Sequence, residues 1–304
     1  MRVAVLGRGF MGRTHLKALA EIPDVEVAAE CEIGKVIADP SVDAVDICLP
    51  TNLHAPVALE ALQAGKNVLV EKPMALDVAA SRQMIAEARK QKRALMVAHV
   101  LRFFPMYTAL GEILSSGRVG APRSATFRRR CGAPAWGAWL SDPKQSGGGV
   151  FDLLIHDMDL CLHLFGKPET LSATGYEALA NGVDVITAEL HYGSGLTAVI
   201  CGGWHHPKSY PFSMEYTVVC EKGTLEYSSL GRAPTVYGAD GEVEMPSMIE
   251  KDGYRAEIEY FLDCCRRGET PSLCPPEESA DAVALALRIL EARKRNGEKI
   301  RCQL

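Results

Sequence analysis

The sequence lacks the features of several protein classes. None of its ten cysteines belongs to a C-x-x-C pair, so a zinc or redox motif has no support. No apolar run is long enough to span a bilayer, and the chain opens on a core-type strand instead of a signal peptide. The net charge of −5 gives no reason to expect a nucleic-acid partner or an anionic membrane. We therefore expect reduced cysteines, no metal ion and a cytoplasmic location.

The composition is that of an ordinary globular protein. Hydrophobic residues make up 47% of the 304 residues and charged residues 23%. This length is enough for two domains, each with a sizeable core. One dense basic run is present, Arg128-Arg129-Arg130. It is short and would alternate between the two faces of a strand, so it predicts a solvated sheet edge.

The beginning of the chain predicts a strand, a glycine turn and a helix. The apolar run Val3–Leu6 is typical of a buried parallel strand. It is followed at once by Gly7-Arg8-Gly9-Phe10-Met11-Gly12, which fits G-x-G-x-x-G, and then by a helical pattern. Glycines at this spacing let the backbone approach a pyrophosphate, which the N–H groups at the start of the helix would bind. The motif predicts a dinucleotide site; the alternative is a turn with only a structural role.

Further strand-like runs alternate with helical stretches, which predicts βαβ units and a parallel sheet. The predicted strands and helices are Val25–Ala29, Ala44–Leu49, His54–Ala64, Asn67–Val70, Val78–Lys90 and Ala94–Ala98, with Gly65 just after the end of a helix. Ligands of open α/β sheets bind beyond the carboxyl ends of the strands. We therefore expect one cleft to be lined by the polar and glycine residues that follow four strands: Gly7, Pro50, Thr51, Asn52, Glu71, Lys72 and His99.

The segment between Ala29 and Asp43 is too short for its position. A βαβ unit takes about 30 residues, but this segment predicts only one short helix that ends at a proline turn. Either the sheet is truncated here or residues are missing between about Glu30 and Glu32; we favour the second, because the sheet would otherwise expose an edge where the adenosine should lie. The acid that binds the ribose lies about 20 residues past the glycine loop, which indicates Glu32, with Glu30 nearby. The choice between NAD and NADP stays open.

A first cluster with chemical potential is Glu71-Lys72-Pro73. A lysine at a strand end inside a cleft is costly unless it has a partner or a role. A desolvated lysine can polarise or deprotonate a hydroxyl group. The alternative is a surface lysine that precedes a turn proline.

A second cluster follows the three glycines Gly147–Gly149, which lead into a predicted helix. Asp152 and His156 are four residues apart, so they share one face of that helix. A carboxylate one turn from an imidazole suits proton transfer, because it orients the ring and stabilises its charged form. The alternatives are a helix N-terminal aspartate with a core histidine, or a metal site at His156. Asp157 and Asp159 are expected to cap the helix or to form structural pairs.

The glycine loop and these two clusters occur in the order found in one family. The chain resembles the glucose–fructose oxidoreductase, inositol dehydrogenase and MocA (Gfo/Idh/MocA) family, and the later stretches Glu221–Glu226 and Tyr254–Phe261 fit as well. The resemblance implies an α/β protein. Its N-terminal Rossmann NAD(P)-binding domain would span residues 1–118. A C-terminal substrate-binding and oligomerisation domain with a large open, mostly antiparallel sheet would span residues 119–304.

The composition of the second half agrees with this architecture. Runs rich in Val, Thr, Tyr and Ala alternate as strands do over 124–130, 188–201 and 216–220. A helical pattern covers Glu277–Arg293. The family's sheet usually forms the face for dimers or tetramers, so the resemblance implies a homodimer or homotetramer.

The resemblance also implies roles for individual residues. Lys72 would hold and polarise the reacting oxygen near the nicotinamide of NAD or NADP, and His156 would be the general acid and base for its proton. Asp152 would orient the substrate and His156. Hydride would pass between the substrate carbon and nicotinamide C4. The cofactor cleft would be lined by Pro50, Thr51, Asn52, His54, Glu71 and His99.

Aromatic residues are candidates for the substrate wall, namely Trp136, Trp139, Trp204, His205 and His206. The alternative is that they are ordinary core or interface residues.

Three functions are compatible with these patterns. The first is an NAD(P)-dependent dehydrogenase acting on a sugar, polyol or similar small molecule. The second is the same scaffold with another nicotinamide-dependent reaction, such as reduction of an imine or a biliverdin-type substrate, or redox-assisted hydrolysis. The third is a non-catalytic dinucleotide sensor. Lys72, Asp152 and His156 argue against the third, because a sensor needs no acid–base set.

Overall fold

The computed structural model describes residues 1–135, 137–249 and 251–304. The strands in these residues are β1 (Arg2–Leu6), β2 (Glu26–Val27), β3 (Ala44–Ile47), β4 (Asn67–Glu71), β5 (Leu95–Ala98), β6 (Pro122–Cys131), β7 (Thr170–Ala178), β8 (Val183–His191), β9 (Thr197–Trp204), β10 (Ser213–Cys220), β11 (Gly223–Ser228), β12 (Arg232–Gly238), β13 (Val243–Glu244) and β14 (Ile300–Arg301). The helices are α1 (Phe10–Ala20), α2 (Ile33–Ala38), α3 (His54–Gln63), α4 (Val78–Gln91), α5 (Pro105–Ser115), α6 (Pro143–Ser146), α7 (Gly149–Phe165), α8 (Gly253–Arg267) and α9 (Pro276–Lys294).

The chain forms two compact units, each assembled from separate stretches of sequence. The first unit contains Met1–Phe103, residues 137–147 and Lys251–Val283. The second contains Phe104–Ala135, residues 148–249 and Ala284–Leu304. A domain boundary between residues 118 and 119 stays a prediction.

The first unit is built on a parallel sheet with the strand order β2-β1-β3-β4-β5. Leu6 pairs with Ile47, Ile47 with Val70, and Glu71 with Ala98, so four strands end along the same edge. The core of this unit includes residues of α8, among them Phe261 and Leu262. The predicted Rossmann-type sheet is confirmed.

Local signals explain how the helices of this unit end and begin. Gly65 follows the end of α3 with a φ of +77°, which confirms its predicted position after a helix. Asp77 accepts a hydrogen bond from the N–H of Ala80 and so caps α4. These signals place α3 and α4 between the strands that carry the polar edge.

The structure shows a truncated sheet after Ala29. Strand β2 has two residues, against the five predicted, and α2 has six. Between them the Glu30 carboxylate accepts hydrogen bonds from the N–H groups of Cys31 and Glu32. This segment adds no further strand, so β2 forms the sheet edge. The loss of residues between about Glu30 and Glu32 stays a hypothesis.

The second unit is built on a sheet with the strand order β13-β12-β11-β10-β6-β9-β8-β7-β14. The pair β6 and β9 is parallel, and the other pairs are antiparallel. The predicted large, mostly antiparallel sheet is therefore confirmed. The run 188–201, which reads as one strand-like stretch, spans parts of two strands joined by a turn in which Gly195 has a φ of +86°.

The basic run does not lie at a sheet edge, so that prediction is wrong. It belongs to β6, which lies between β10 and β9 in the interior of the sheet. The predicted alternation does hold, because Arg129 is 2% exposed and pairs with Asp157, whereas Arg128 and Arg130 both donate to Glu215. Acidic partners distant in sequence neutralise the run.

Two further findings concern the length of the helices and the state of the cysteines. Among the described residues, no helix combines the length and apolar character that a membrane crossing requires. All ten cysteines are free thiols, as expected.

Candidate active site

The glycine loop lies at the carboxyl end of β1. Gly7 has a φ of +102°, and a Cβ there would lie 2.4 Å from the carbonyl oxygen of Cys48. A Cβ at Gly12 would lie 1.9 Å from the carbonyl oxygen of Gly7. Both positions therefore require glycine, because the loop, β3 and α1 pack at backbone contact.

The middle glycine of the loop faces open space. Gly9 caps the start of α1, and no atom lies within 4 Å of a Cβ built there. Arg8 and Phe10 are exposed beside it, and Met11 is half-buried. The first N–H groups of a helix have no partner within the helix and attract anions. The loop therefore fits the pyrophosphate of a dinucleotide.

The segment after β3 combines exposed and buried groups. Asn52 is exposed, Pro50 is half-buried and Thr51 is buried. His54 is 1% exposed, and its Nδ1 and Nε2 each lie 2.8 Å from a carbonyl oxygen, of Pro73 and Leu49 respectively. Burial lowers the pKa of His54, although both carbonyls act in the opposite direction. His54 therefore ties this segment to the backbone after Lys72.

Glu71, the last residue of β4, and Lys72, which follows it, differ in burial. Lys72 is half-buried, whereas the Glu71 carboxylate is buried. Glu71 Oε1 lies 3.1 Å from His15 Nε2, and Oε2 accepts the backbone N–H of Lys72 at 3.0 Å. Burial acts to raise the pKa of Glu71. The contact with His15 and the charge of its ring lower this pKa by more, so the net shift is downward. The cleft edge thus carries Lys72, and Glu71 supports it from inside.

His15 is a residue whose role the sequence did not reveal. It is completely buried on α1, and its Nδ1 lies 2.9 Å from Asp46 Oδ2. Burial acts to lower the pKa of His15, but the charge of Asp46, with Cys48, raises it well above the usual value. His15, Asp46 and Cys48 offer ligand-type atoms within 4.8 Å of one another, and contacts of hydrogen-bond length account for this grouping. The sequence signal that could have indicated this role is the position of His15, three residues after the last glycine of the loop.

His99 follows β5 at the same edge and is 1% exposed. The parallel strands of the first unit therefore bring together the glycine loop, the segment after β3, Lys72 and His99, as the sequence predicted from their positions at strand ends.

The second cluster lies at the start of α7 in the second unit. Gly148 caps this helix with a φ of +93°, and a Cβ at Gly149 would lie 2.5 Å from the ring of Trp204. Asp152 and His156 lie in the first two turns and are both partly exposed. The glycines are therefore required for close packing, and the helix leaves the predicted acid–base face accessible.

Two ion pairs fix α7 from the protein interior. Asp157 accepts two hydrogen bonds of 2.9 Å from Arg129, which confirms the structural pairing expected of Asp157. Asp184 accepts the N–H of Val150 at 2.9 Å, and its other oxygen lies 2.5 Å from Arg293 Nη1. Arg293 also pairs with Glu177. Sequence reasoning missed Asp184 and Arg293, which are 109 residues apart.

The aromatic candidates have different environments. Trp204 is 2% exposed beneath α7, so it is a core residue. His206 stacks on Tyr210 at 3.8 Å between ring centroids, and Trp139 is half-buried. Neighbouring His205 is exposed. Trp136 lies outside the described residues.

Two family models match the chain. A model of the oxidoreductase family with an NAD-binding Rossmann fold matches residues 19–99, and one of the GFO/IDH/MocA C-terminal domain matches residues 107–226. Together they cover more than half of the 304 residues. Lys72 lies in the first range, and Asp152 and His156 lie in the second.

Similar proteins match over nearly the whole chain. It is 27% identical to the myo-inositol 2-dehydrogenase of Thermotoga maritima, over 99% of this chain and 97% of that enzyme. That alignment runs over 336 residues against 304 here, so the Thermotoga enzyme has residues without a counterpart in this chain.

A second similar protein has a solved structure. The chain is 30% identical to the UDP-N-acetylglucosamine 3-dehydrogenase of Acidithiobacillus ferrooxidans, over 95% of this chain and 96% of that enzyme. The structure of that enzyme superimposes with a TM-score of 0.81 at 25% identity, over 97% of this chain and 98% of the other. The loop, the site residues and these matches agree: the chain belongs to the Gfo/Idh/MocA family of NAD(P)-dependent oxidoreductases.

Proposed function

We propose that the protein transfers a hydride between a nicotinamide cofactor and the secondary alcohol or carbonyl carbon of a sugar, polyol or similar small molecule. The observation that carries this proposal is the shared strand edge of the first unit, which carries both a loop suited to a pyrophosphate and Lys72. The names of the similar proteins, an inositol dehydrogenase and a UDP-sugar dehydrogenase, support a polyhydroxylated substrate.

The first unit would hold the cofactor, which when bound accepts or supplies the hydride at nicotinamide C4. The open backbone at Gly9 and the start of α1 would bind the pyrophosphate. The exposed side chain of Asn52 and half-buried Pro50 would line the cleft, with buried His99 at the end of β5. Buried Thr51 and His54 would support this wall from behind.

Three side chains would act on the substrate. The Lys72 ammonium would hold and polarise the reacting oxygen, and the His156 imidazole would accept or return the proton of that oxygen. Asp152, one turn before His156 on α7, would orient the ring and a neighbouring substrate hydroxyl. Arg129 of β6 neutralises Asp157, the residue after His156 on α7, so we give Asp157 a structural role instead of a catalytic one.

The test is a pair of variants, Lys72→Ala and His156→Ala. Each should lower kcat by roughly 10²- to 10⁴-fold, because each removes a group that contacts the reacting oxygen. The dissociation constant of the nicotinamide cofactor, measured by fluorescence titration, should change little. Turnover near the wild-type rate in either variant contradicts the role given to that residue.

Matched controls separate chemistry from surface charge. Lys17→Ala removes an exposed lysine from α1, and His163→Ala removes an exposed histidine from α7. Both should keep wild-type turnover. If a control loses as much activity as its partner variant, loss of charge or helix stability explains the effect.

Assembly and location belong to the same proposal. We infer a cytoplasmic homodimer or homotetramer formed through the large sheet, with no nucleic-acid or membrane partner. Strands β10, β12 and β13 of this sheet expose apolar side chains: Val219 at 40%, Tyr237 at 39% and Val243 at 63%. Light scattering coupled to size-exclusion chromatography should give two or four times the 32.9 kDa chain mass; a monomeric mass contradicts the assembly.

A further inference from the structure

A continuous chain of buried polar contacts crosses three elements of the first unit. It runs from Asp46 on β3 to His15 on α1, and from His15 to Glu71 at the end of β4. The two links measure 2.9 Å and 3.1 Å. The third link, of 3.0 Å, joins Glu71 to the backbone N–H of Lys72. The chain therefore ends at the residue proposed to hold the substrate oxygen.

The charges in this chain are complementary. The exposed fraction is 0% at His15, 1% at Asp46 and 6% at Glu71. A charged His15 imidazolium would offset a carboxylate on each side, through the hydrogen bond between Nδ1 and Asp46 and the ion-pair contact between Nε2 and Glu71. Two carboxylates this deep inside a protein would be very costly without that cation.

Three other groups surround His15 at longer distances than Asp46 and Glu71. Glu257 Oε1 lies 4.0 Å from His15 Nε2, beyond hydrogen-bond length. Cys48 Sγ lies 3.5 Å from His15 Nδ1, on the Asp46 side. The Tyr254 ring centroid lies 6.3 Å from that of His15. The contact with Glu71 leads on to Lys72, through the hydrogen bond that the backbone N–H of Lys72 donates to Glu71.

We propose that His15 is a positioning residue for Lys72. It orients the Glu71 carboxylate, and that carboxylate fixes the backbone from which the Lys72 side chain extends. Because His15 lies on the helix that begins at the glycine loop, the same chain ties the lysine to the cofactor-binding element. This inference rests on the proposed function for its catalytic meaning, but the contact itself can be tested without a substrate.

The test compares His15→Gln with Glu257→Gln, a matched control that changes a buried neighbour outside the chain. The first readout is acylation of the Lys72 amine in the cofactor-free protein, followed by peptide mass spectrometry with Lys17 and Lys90 as internal references. The Lys72 charge already acts on Glu71, and in His15→Gln the Glu71 carboxylate, without its imidazolium, should attract the Lys72 ammonium more strongly. Acylation of Lys72 should therefore slow relative to the reference lysines, and Glu257→Gln should leave the ratio unchanged.

The second readout is kinetic. In His15→Gln, kcat should fall by roughly 10²-fold, as expected for a misplaced catalytic group, while the cofactor dissociation constant stays close to wild type. Asp46→Asn removes the other end of the chain and should act in the same direction with a smaller loss, so it serves if His15→Gln does not fold.

Two results overturn the proposal: an unchanged acylation ratio in folded His15→Gln or Asp46→Asn, or an equal change in Glu257→Gln, which would mean general loosening of the cluster. If the wild-type enzyme oxidises no sugar or polyol, the proposed function fails, but the acylation ratio still decides whether His15 positions Lys72.

Discussion

At the residue scale, the glycine loop could be predicted because its requirement is local. Steric contact at Gly7 and Gly12 involves backbone atoms, which any sequence supplies, so the motif alone predicts the close packing. His15 could not be predicted in the same way. Its partners Asp46 and Glu71 are 31 and 56 positions away in sequence, and a helical histidine reads equally well as a surface or a core residue.

Gly9→Val tests the cofactor loop at this scale. Space around Gly9 is open, so valine should leave the fold intact and occupy the position of the pyrophosphate. We expect the nicotinamide dissociation constant to rise strongly, with Gly9→Ala intermediate, and the thermal unfolding midpoint to stay within a few degrees of wild type. An unchanged cofactor titration in folded Gly9→Val means that the loop does not bind the dinucleotide.

Glu257 gives a pH-dependent prediction. It is completely buried, and neither carboxylate oxygen has a hydrogen-bond partner among the described residues, so burial raises its pKa well above the usual value. The folded state therefore keeps a proton that the unfolded chain releases above its ordinary pKa, and stability falls as pH rises from that value towards the folded pKa.

Glu257→Gln should remove this slope. The free energy of unfolding of the variant, relative to wild type, should increase from pH 5 to pH 8 in urea titrations. A difference that is constant over this range would show that Glu257 does not hold a proton in the folded protein.

At the element scale, the positions of strands and helices along the chain could be predicted from periodicity. Which strands lie next to each other in a sheet could not. The predicted helix at 277–293 is close to the observed α9, because its apolar spacing is a property of the segment itself. The basic run was misplaced at an edge because the strands on either side of β6 come from residues 197–204 and 213–220. The run of arginines itself does not indicate that acidic partners, Asp157 and Glu215, lie on opposite faces of β6.

The buried pair on β6 and α7 is expected to stabilise the second unit. Arg129→Met leaves the Asp157 carboxylate buried without a partner and should lower the free energy of unfolding by about 3–5 kcal/mol. Arg128→Met, at a more exposed position on the same strand, should cost much less. The double variant Arg129→Met with Asp157→Leu replaces the ion pair by an apolar pair and should recover most of the lost unfolding free energy in urea titrations. No recovery would contradict the ion-pair account.

The start of α7 gives a second prediction for an element. Asp184→Ala removes the acceptor for Val150 and leaves Arg293 with Glu177 and the carbonyl of Val185. We expect a loss of about 3 kcal/mol or more in unfolding free energy, together with a lower kcat, because α7 carries Asp152 and His156. Asp184→Asn keeps an acceptor oxygen and should retain more activity than Asp184→Ala. Equal activity in the two variants would show that the hydrogen bond from Val150 to Asp184 does not contribute to catalysis.

At the scale of the whole molecule, the sequence predicted two kinds of sheet but not how stretches of chain combine. Helix α8, late in the sequence, contributes Phe261 and Leu262 to the core of the first unit. The segment after Ala29 was recognised as too short from its length alone, but missing residues were favoured over the truncated edge that the structure shows. Resequencing the gene, together with an intact mass of the protein, tests the hypothesis that residues are missing between about Glu30 and Glu32.

The central claim is that Lys72 and His156 act on one substrate oxygen beside a bound nicotinamide. The most direct measurement is the appearance of the reduced-nicotinamide absorbance band with a panel of polyols and aldoses, with NAD and NADP in parallel, for wild type and both alanine variants. The account predicts reduction by wild type with at least one member of the panel, and its loss in both variants while cofactor binding persists. Undiminished reduction in either variant would contradict it.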